Sequence, residues 1–448
     1  MGGFPEAPAR PKCDRMQLLP DRPRVAGSAL TTPHFLLLYA AMLVAAAGNT
    51  ALQSVMPAIG REIGISDFWV TVSYTWSAIL WVTLAPLWAR QSDKHGRKPL
   101  ILLGVGGFVA AMILCGLALL AGLKGLLAGG ITFAAFGICR AIYGSLGSAT
   151  PSATQAYLAS KTRRTARVEA LSALSSSFSL GTIVGPALAP LFVLPLVGLA
   201  GPLFAFAAIG IIVFTAIFFG LPDDTKPRQG RRSGHGAAMS YPSLASAPTG
   251  ASIIAATRPK GPPLQWNDHR IRRWITAGVI SGHAQAATLA CIGFFVIDRL
   301  QLQPHGAEKN ISIVMMAGAA GTLAAQWGLI PRLRLGPRQL ILWGSIIAAA
   351  GMAVTMAAGE LYGIVLGFGL SSLGFGFTRP GFTAGASLAV PLAEQGGVAG
   401  VVTAANGSAY VLAPGLGMLL YGADPHLPFV AAMALLFGLV LWGRRRLA

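Results

Sequence analysis

Long apolar stretches alternate with short polar ones along the whole chain. The apolar runs are roughly 18 residues or longer, enough for a helix to cross a hydrocarbon core. Twelve spans are predicted: 34–57, 67–89, 100–121, 126–150, 168–195, 200–221, 274–298, 309–331, 339–358, 361–387, 396–421 and 427–443. A bilayer offers no water to backbone amides and carbonyls, so a span is either a helix or part of a closed barrel. These runs lack the alternation of period two that barrel strands show. The expected fold class is therefore an all-α polytopic membrane protein.

Composition removes the soluble alternative. Only 11% of the 448 residues are charged, against about 25% in soluble domains. The net charge of +19 would suit a nucleic-acid binder, but its placement does not. Of the 34 Lys and Arg residues, 28 fall in alternate polar segments on one side of the predicted spans. Four (Arg61, Lys124, Arg299 and Lys309) fall on the other side, and Arg140 and Arg379 lie within spans. Such asymmetry marks cytoplasmic segments. It predicts a cytoplasmic tail at 1–33, a cytoplasmic linker at 222–273 and a cytoplasmic C-terminus at 444–448 in an inner-membrane protein. The lipid bilayer, not nucleic acid, is the expected surroundings. The first 30 residues have no apolar core or small-residue cleavage site and read as a tail, not a signal peptide.

The linker is rich in Gly, Pro, Ser and Arg and separates six spans (34–221) from six more (274–443). It reads as a flexible connection, with a short surface helix expected near "DHRIRRW" (268–274). The halves echo one another. "TPSATQAYLA" (150–159) aligns with "RPGFTAGASLA" (379–389), and "SLGTIVGPAL" (179–188) with "SAYVLAPGLG" (408–417). Pro151 and Pro186 are matched by Pro380 and Pro414 at nearly the same spacing. Parallel repeats about an axis along the membrane normal would produce this pattern.

The polar loop between spans 2 and 3 reads "SDKHGRKPL" (92–100), with Asp93, Lys94, Gly96, Arg97 and Lys98. This loop resembles the signature of the major facilitator superfamily, with Ala89 where the first glycine usually stands. The resemblance implies twelve helices in two pseudo-symmetric bundles and transport by alternating access. It also implies that Asp93 gates the cytoplasmic side by bonding the start of span 11, near Gly396 and Gly397. The acid that family members often carry at the end of span 4 is replaced by Ser160, which leaves Glu169 as a substitute partner for Arg97. Span 5 carries Gly181, Gly185 and Pro186, and span 4 carries Arg140 and Gly144. Both patterns resemble the drug–proton antiporter branch. Small residues four apart permit close helix approach and proline bends the helix.

In that fold spans 1, 4, 7 and 10 line the central path. Their polar and aromatic positions form stripes at helical spacing: Met42, Asn49, Gln53 and Met56 on span 1, and Arg140, Tyr143, Gly144, Gly147 and Thr154 on span 4. Span 7 offers Ser281, Gln285 and Thr288, and span 10 offers Phe368, Ser372, Phe375, Arg379 and Phe382. Two intramembrane arginines and no mid-membrane acid predict an electropositive cavity for anionic, zwitterionic or neutral amphipathic compounds. His283 is the candidate proton carrier, since an imidazole titrates near neutrality. No paired aspartates, histidine box, activated nucleophile or Gly-x-x-x-x-Gly-Lys-Ser/Thr stretch occurs, which disfavours a membrane enzyme or a nucleotide-driven pump. Cys13, Cys115, Cys139 and Cys291 suggest neither disulfide nor metal site. The expectation is a monomeric exporter of small molecules without cofactor, with proton coupling open and an uptake permease for a small anionic metabolite as the alternative.

Overall fold

The computed structural model describes residues 32–162, 167–223, 265–391 and 394–447. Within the described residues the chain is helical throughout, and ten helices are long and apolar enough to cross a membrane. The other two predicted spans are the helices Arg167–Leu188 and Gln395–Ala423. Serines, glycines and Asn406 are interspersed with their apolar residues.

Span 1 is Thr32–Glu62, span 2 Asp67–His95, span 3 Arg97–Leu123 and span 6 Gly201–Gly220. Span 4 joins Gly129–Ile142 to Ala149–Lys161 through a π-helical turn at Tyr143–Gly147. In the second half span 7 is Arg272–Arg299, span 9 Pro337–Ala357, span 10 Leu361–Leu388 and span 12 Leu427–Arg446. Span 8 runs from Ala307 to Leu333 with its own π-helical turn at Ala324–Leu329. Spans 5 and 11 are Arg167–Leu188 and Gln395–Ala423.

The packing partners repeat between halves. Spans 1 and 5 pack as 7 and 11 do, and 3 with 4 as 9 with 10. Spans 3 with 6 and 9 with 12 complete the correspondence. Between halves, span 2 packs on span 11 and span 5 on span 8, the pairs that a twofold axis exchanges. Two pseudo-symmetric six-helix bundles follow.

Glycine sets how closely helices approach. A Cβ on Gly181 would meet the Leu43 carbonyl at 2.5 Å, and one on Gly185 would strike the Ala47 carbonyl and the Thr50 hydroxyl, so span 5 lies directly on span 1. Pro186 is buried in the same helix. The regular helix stops at Leu188 and tightens to a 3₁₀ turn at Ala189–Phe192, short of the expected end at 195. Pro190 lies within that turn, and its missing N–H cannot continue the helical ladder.

The segment expected to form a separate surface helix at 268–274 instead leads directly into span 7, which begins at Arg272. Ile271 is completely buried there, which anchors the helix start to the bundle. The helix ends near residues 32, 95, 162, 222, 272, 334 and 446 share one face, called here the terminal face. The opposite one is the far face.

Candidate functional site

A partly open cavity lies between the two bundles. Spans 1 and 2 contribute Gln53, Met56, Pro57, Val70, Thr71, Tyr74 and Ala78 to its wall. Span 7 contributes Ala286, Leu289, Ala290, Ile292, Gly293 and Phe294, span 8 Met315, and span 11 Tyr410 and Pro414. Among the described residues the lining includes no Asp, Glu, Lys, Arg or His. One amide (Gln53) and three hydroxyls (Thr71, Tyr74 and Tyr410) interrupt an otherwise apolar surface, a lining that suits an apolar body with few polar groups. Gln53 is nine residues from the far end of span 1, so the cavity lies roughly 14 Å below it.

The first arginine stands behind this wall. Arg140 is fully buried, and its guanidinium carbon is 5.1 Å from the centre of the Tyr74 ring and 4.8 Å from that of Tyr143. Its Nη2 donates to Asn49 Oδ1. The Tyr143 hydroxyl donates to the Ala45 carbonyl at 3.4 Å. Asn49, Arg140 and Tyr143 are thus brought together as a sealed polar cluster, with Tyr74 between it and the cavity. A desolvated cation over an aromatic ring gains about 2 kcal/mol, which helps hold the charge there. The rest of the span 4 stripe packs on span 2: a Cβ on Gly144 would meet the Ser77 carbonyl at 2.5 Å.

An ion network crosses between the bundles at the far end of the cavity. Arg61, ending span 1, donates to Asp67 of its own half through Nε at 3.2 Å and Nη2 at 2.7 Å. The same guanidinium reaches Asp298 of span 7 through Nη2 at 2.9 Å and through a second, shorter contact from Nη1. Tyr421 of span 11 donates to Asp298 at 2.6 Å. Phe294, part of the cavity wall, lies 5.6 Å beneath the guanidinium. One arginine is therefore shared between the halves at the far face. Among the described residues no group of His, Cys, Asp and Glu could hold a metal.

Residues 38–414 match the Major Facilitator Superfamily. The chain belongs to that superfamily. It is accordingly a multi-pass membrane protein of a transporter superfamily. The multidrug resistance protein MdtG of Proteus mirabilis (strain HI4320) is 28% identical over 186 residues, which cover 40% of this chain and 43% of that relative. Less than half the length of this relative is therefore spanned. Among solved structures, the nucleoside transporter NupG is similar with a TM-score of 0.66 and 12% identity, covering 92% of this chain and 98% of its own. The human organic anion transporter MFSD10 gives 0.59 and 17%, with 92% and 99% covered. A bacterial homologue of the iron transporter ferroportin, solved facing outward, gives 0.55 and 16%, with 93% and 100% covered. At these identities the structures show a shared major facilitator fold.

The superfamily signature between spans 2 and 3 is a turn of one residue. Span 2 ends at His95 and span 3 begins at Arg97, so its polar residues extend helices beyond the apolar runs. Gly96 makes the reversal at φ +93°, a region that a side chain would strain. Arg97 is buried, and Lys98 pairs with Asp223 at 3.0 Å beyond the end of span 6. The side chains of Asp93, Lys94 and Glu169, and Gly396, lie outside the described residues, so the gating contact expected of Asp93 does too.

Other predicted site residues lie around the cavity instead of lining it. Gln285 is half-buried on span 7, one turn from Leu289 of the wall. His283 Nδ1 bonds the carbonyl of Val279 in its own helix at 2.8 Å. Phe375 packs in the main core, whereas Phe382 lies against Gly278 of span 7 in a separate apolar cluster. Arg379 is buried between them in the same helix. Of the seventeen residues on the predicted stripes, Gln53 and Met56 are part of the wall. Spans 2, 8 and 11 were missed. Thr71, Tyr74 and Ala78 make a polar and small stripe at i, i+3 and i+7, and Tyr410 and Pro414 fall in the repeated segment 408–417.

Proposed function

We propose that the chain is a secondary active transporter of the plasma membrane that exports small amphipathic compounds by alternating access. The observation that carries this reading is a largely apolar cavity between two pseudo-symmetric bundles, with a polar seal crossing from one bundle to the other above it. Rocking the bundles apart at the far face requires Arg61 to release Asp298. Rocking them together at the terminal face would pass the same cavity from one side to the other. The partial likeness to a multidrug resistance protein supports efflux of varied compounds, as does a lining that offers hydroxyls and an amide but no fixed charge. Substrates that are neutral, zwitterionic or anionic fit the two buried arginines, Arg140 behind Tyr74 and Arg379 on span 10. The charge asymmetry supports a cytoplasmic terminal face.

Proton coupling is part of this proposal, with His283 as the candidate carrier. The test is accumulation of a chemically varied drug panel by cells with and without the chain, repeated after the proton gradient is collapsed. Lower accumulation in expressing cells, reversed by an uncoupler, is expected. Higher accumulation of an anionic metabolite in expressing cells would instead establish uptake.

A further inference from the structure

The terminal face of the second bundle has a charge pattern that topology alone does not require. Its helix ends and turns carry Arg270, Arg272, Arg273, Arg332, Arg334, Arg338 and the run Arg444–Arg446, nine arginines without one lysine. Acids are nearly absent there. After residue 268 the chain has five: Asp298, Glu308, Glu360 and Asp424 lie at the far ends of their helices, leaving Glu394. Glu394 and Asp268 are both occupied by Arg270, at 2.7 and 2.8 Å. None of the other eight arginines pairs with a carboxylate among the described residues. Lysine serves a topology signal as well as arginine does, whereas arginine's planar fork is matched to phosphate.

These cations converge from three spans. Arg273, at the start of span 7, donates to the Arg446 carbonyl at 3.2 Å, and Arg338, at the start of span 9, donates to the Arg444 carbonyl at 2.7 Å. Both bond the last turn of span 12, where the helix dipole is negative, and this gathers five guanidinium groups at one helix end. The Nε of Arg338 is buried there without a hydrogen-bond partner among the described residues. Close by on the same helices, Trp343 and Leu441 are 54% and 52% exposed. Cations at the helix ends with exposed apolar side chains toward mid-membrane match a headgroup with its acyl chains.

We propose that the ends of spans 7, 9 and 12 form a binding site for the phosphate headgroup of an anionic phospholipid. Arg338 and Arg444 to Arg446 face the phosphate, and Trp343 and Leu441 flank the chains. All three spans belong to one bundle, so the site stays intact as the bundles rock.

The test uses the full chain in nanodiscs of equal parts phosphatidylglycerol and phosphatidylcholine with identical acyl chains. Native mass spectrometry counts the lipids that stay bound. The wild type should retain phosphatidylglycerol preferentially, and Arg338→Gln/Arg444→Gln/Arg445→Gln should bring the ratio close to that of the bulk lipid, with roughly fivefold lost per cation removed. Neutralising Arg10, Lys12 and Arg15 in the N-terminal tail removes the same charge and should leave the preference intact. Arg338→Lys keeps the charge without the fork and should fall between. It also supplies the reading if the triple variant does not fold. Millimolar glycerophosphate should not displace the lipid; displacement would reassign the site to soluble phosphate esters and overturn the proposal. Equal retention of both lipids by the wild type, or an unchanged ratio in the variants, would overturn it as well.

Discussion

Replacing Asp298 with Asn should release the far face. The substitution keeps the side chain's size and removes the charge that Arg61 holds across the bundle interface, where Tyr421 also donates. A hydrogen bond to a charged group contributes about 1.5–3 kcal/mol when shielded, and an exposed ion pair about 0–1 kcal/mol. With the Arg61 and Asp298 side chains 21% and 36% exposed, the pair belongs between these limits, at about 1–2 kcal/mol. Because the contact exists only while the far face is closed, its loss shifts the population toward the open state by about 5- to 30-fold. Leu126 and Tyr362, 74% and 81% exposed at the far ends of the two bundles, are sites for spin labels in a background freed of its four cysteines. Pulsed electron spin resonance should show a longer distance population growing in Asp298→Asn. Arg61→Gln should do the same, and the double variant should add little, since both remove one interaction. Unchanged distances in both single variants would refute the seal.

Gly181→Leu should strip the close contact of spans 1 and 5 and cost several kcal/mol in stability, read as a marked fall in melting temperature of the purified protein; an unaltered melting temperature would contradict the packing. Asp93→Asn, the substitution at the superfamily signature, should lower turnover more than substrate affinity, whereas wild-type turnover would leave the motif a topology signal. Arg379→Lys should weaken transport and Arg379→Ala should abolish transport of an anionic compound while sparing a neutral one; normal flux through both variants would remove Arg379 from recognition. At the terminal face Arg270 donates to Asp268 and holds its carboxyl at about 2, below the ordinary 3.8. A lowered value means that stability from this contact is complete above the ordinary value and is lost as pH falls through 2. Exchange protection of the Arg270 amide, which donates to Asp268 at 3.0 Å, should therefore persist at pH 4 and decline toward pH 2, and loss already at pH 4 would contradict it.

The architecture was legible because burial in lipid acts on long runs of residues. Apolar length fixed the spans, and the repeated segments around Pro186 and Pro414 exposed the internal symmetry. The cavity wall was much less legible. Periodicity on one helix shows that a face is distinctive, but not whether that face meets solvent, substrate or another helix. Gly144 and Gly147 form part of a stripe on span 4 that packs against span 2, and Phe368 and Ser372 on span 10 pack against Gly318 of span 8. Arg140 stands out in sequence as an intramembrane cation, yet its charge is enclosed by Asn49, Tyr74 and Tyr143 from three spans. The far-face seal joins residues 61 and 298, and no local pattern links positions so distant in the chain. Arg61 and Asp298 read in sequence as ordinary loop charges because helix ends are where charge is cheapest.

The central claim is that the cavity between the bundles carries the substrate. Its most direct test is flux of a compound identified by the accumulation screen, measured in proteoliposomes with an imposed proton gradient, for the wild type and for Ala290→Trp. Ala290 lies in the cavity wall on span 7, so an indole there fills the space without removing any residue of the seal. Loss of flux in a variant whose melting temperature and far-face distances match the wild type is the result predicted here. Wild-type flux with the cavity filled would place the transport path elsewhere.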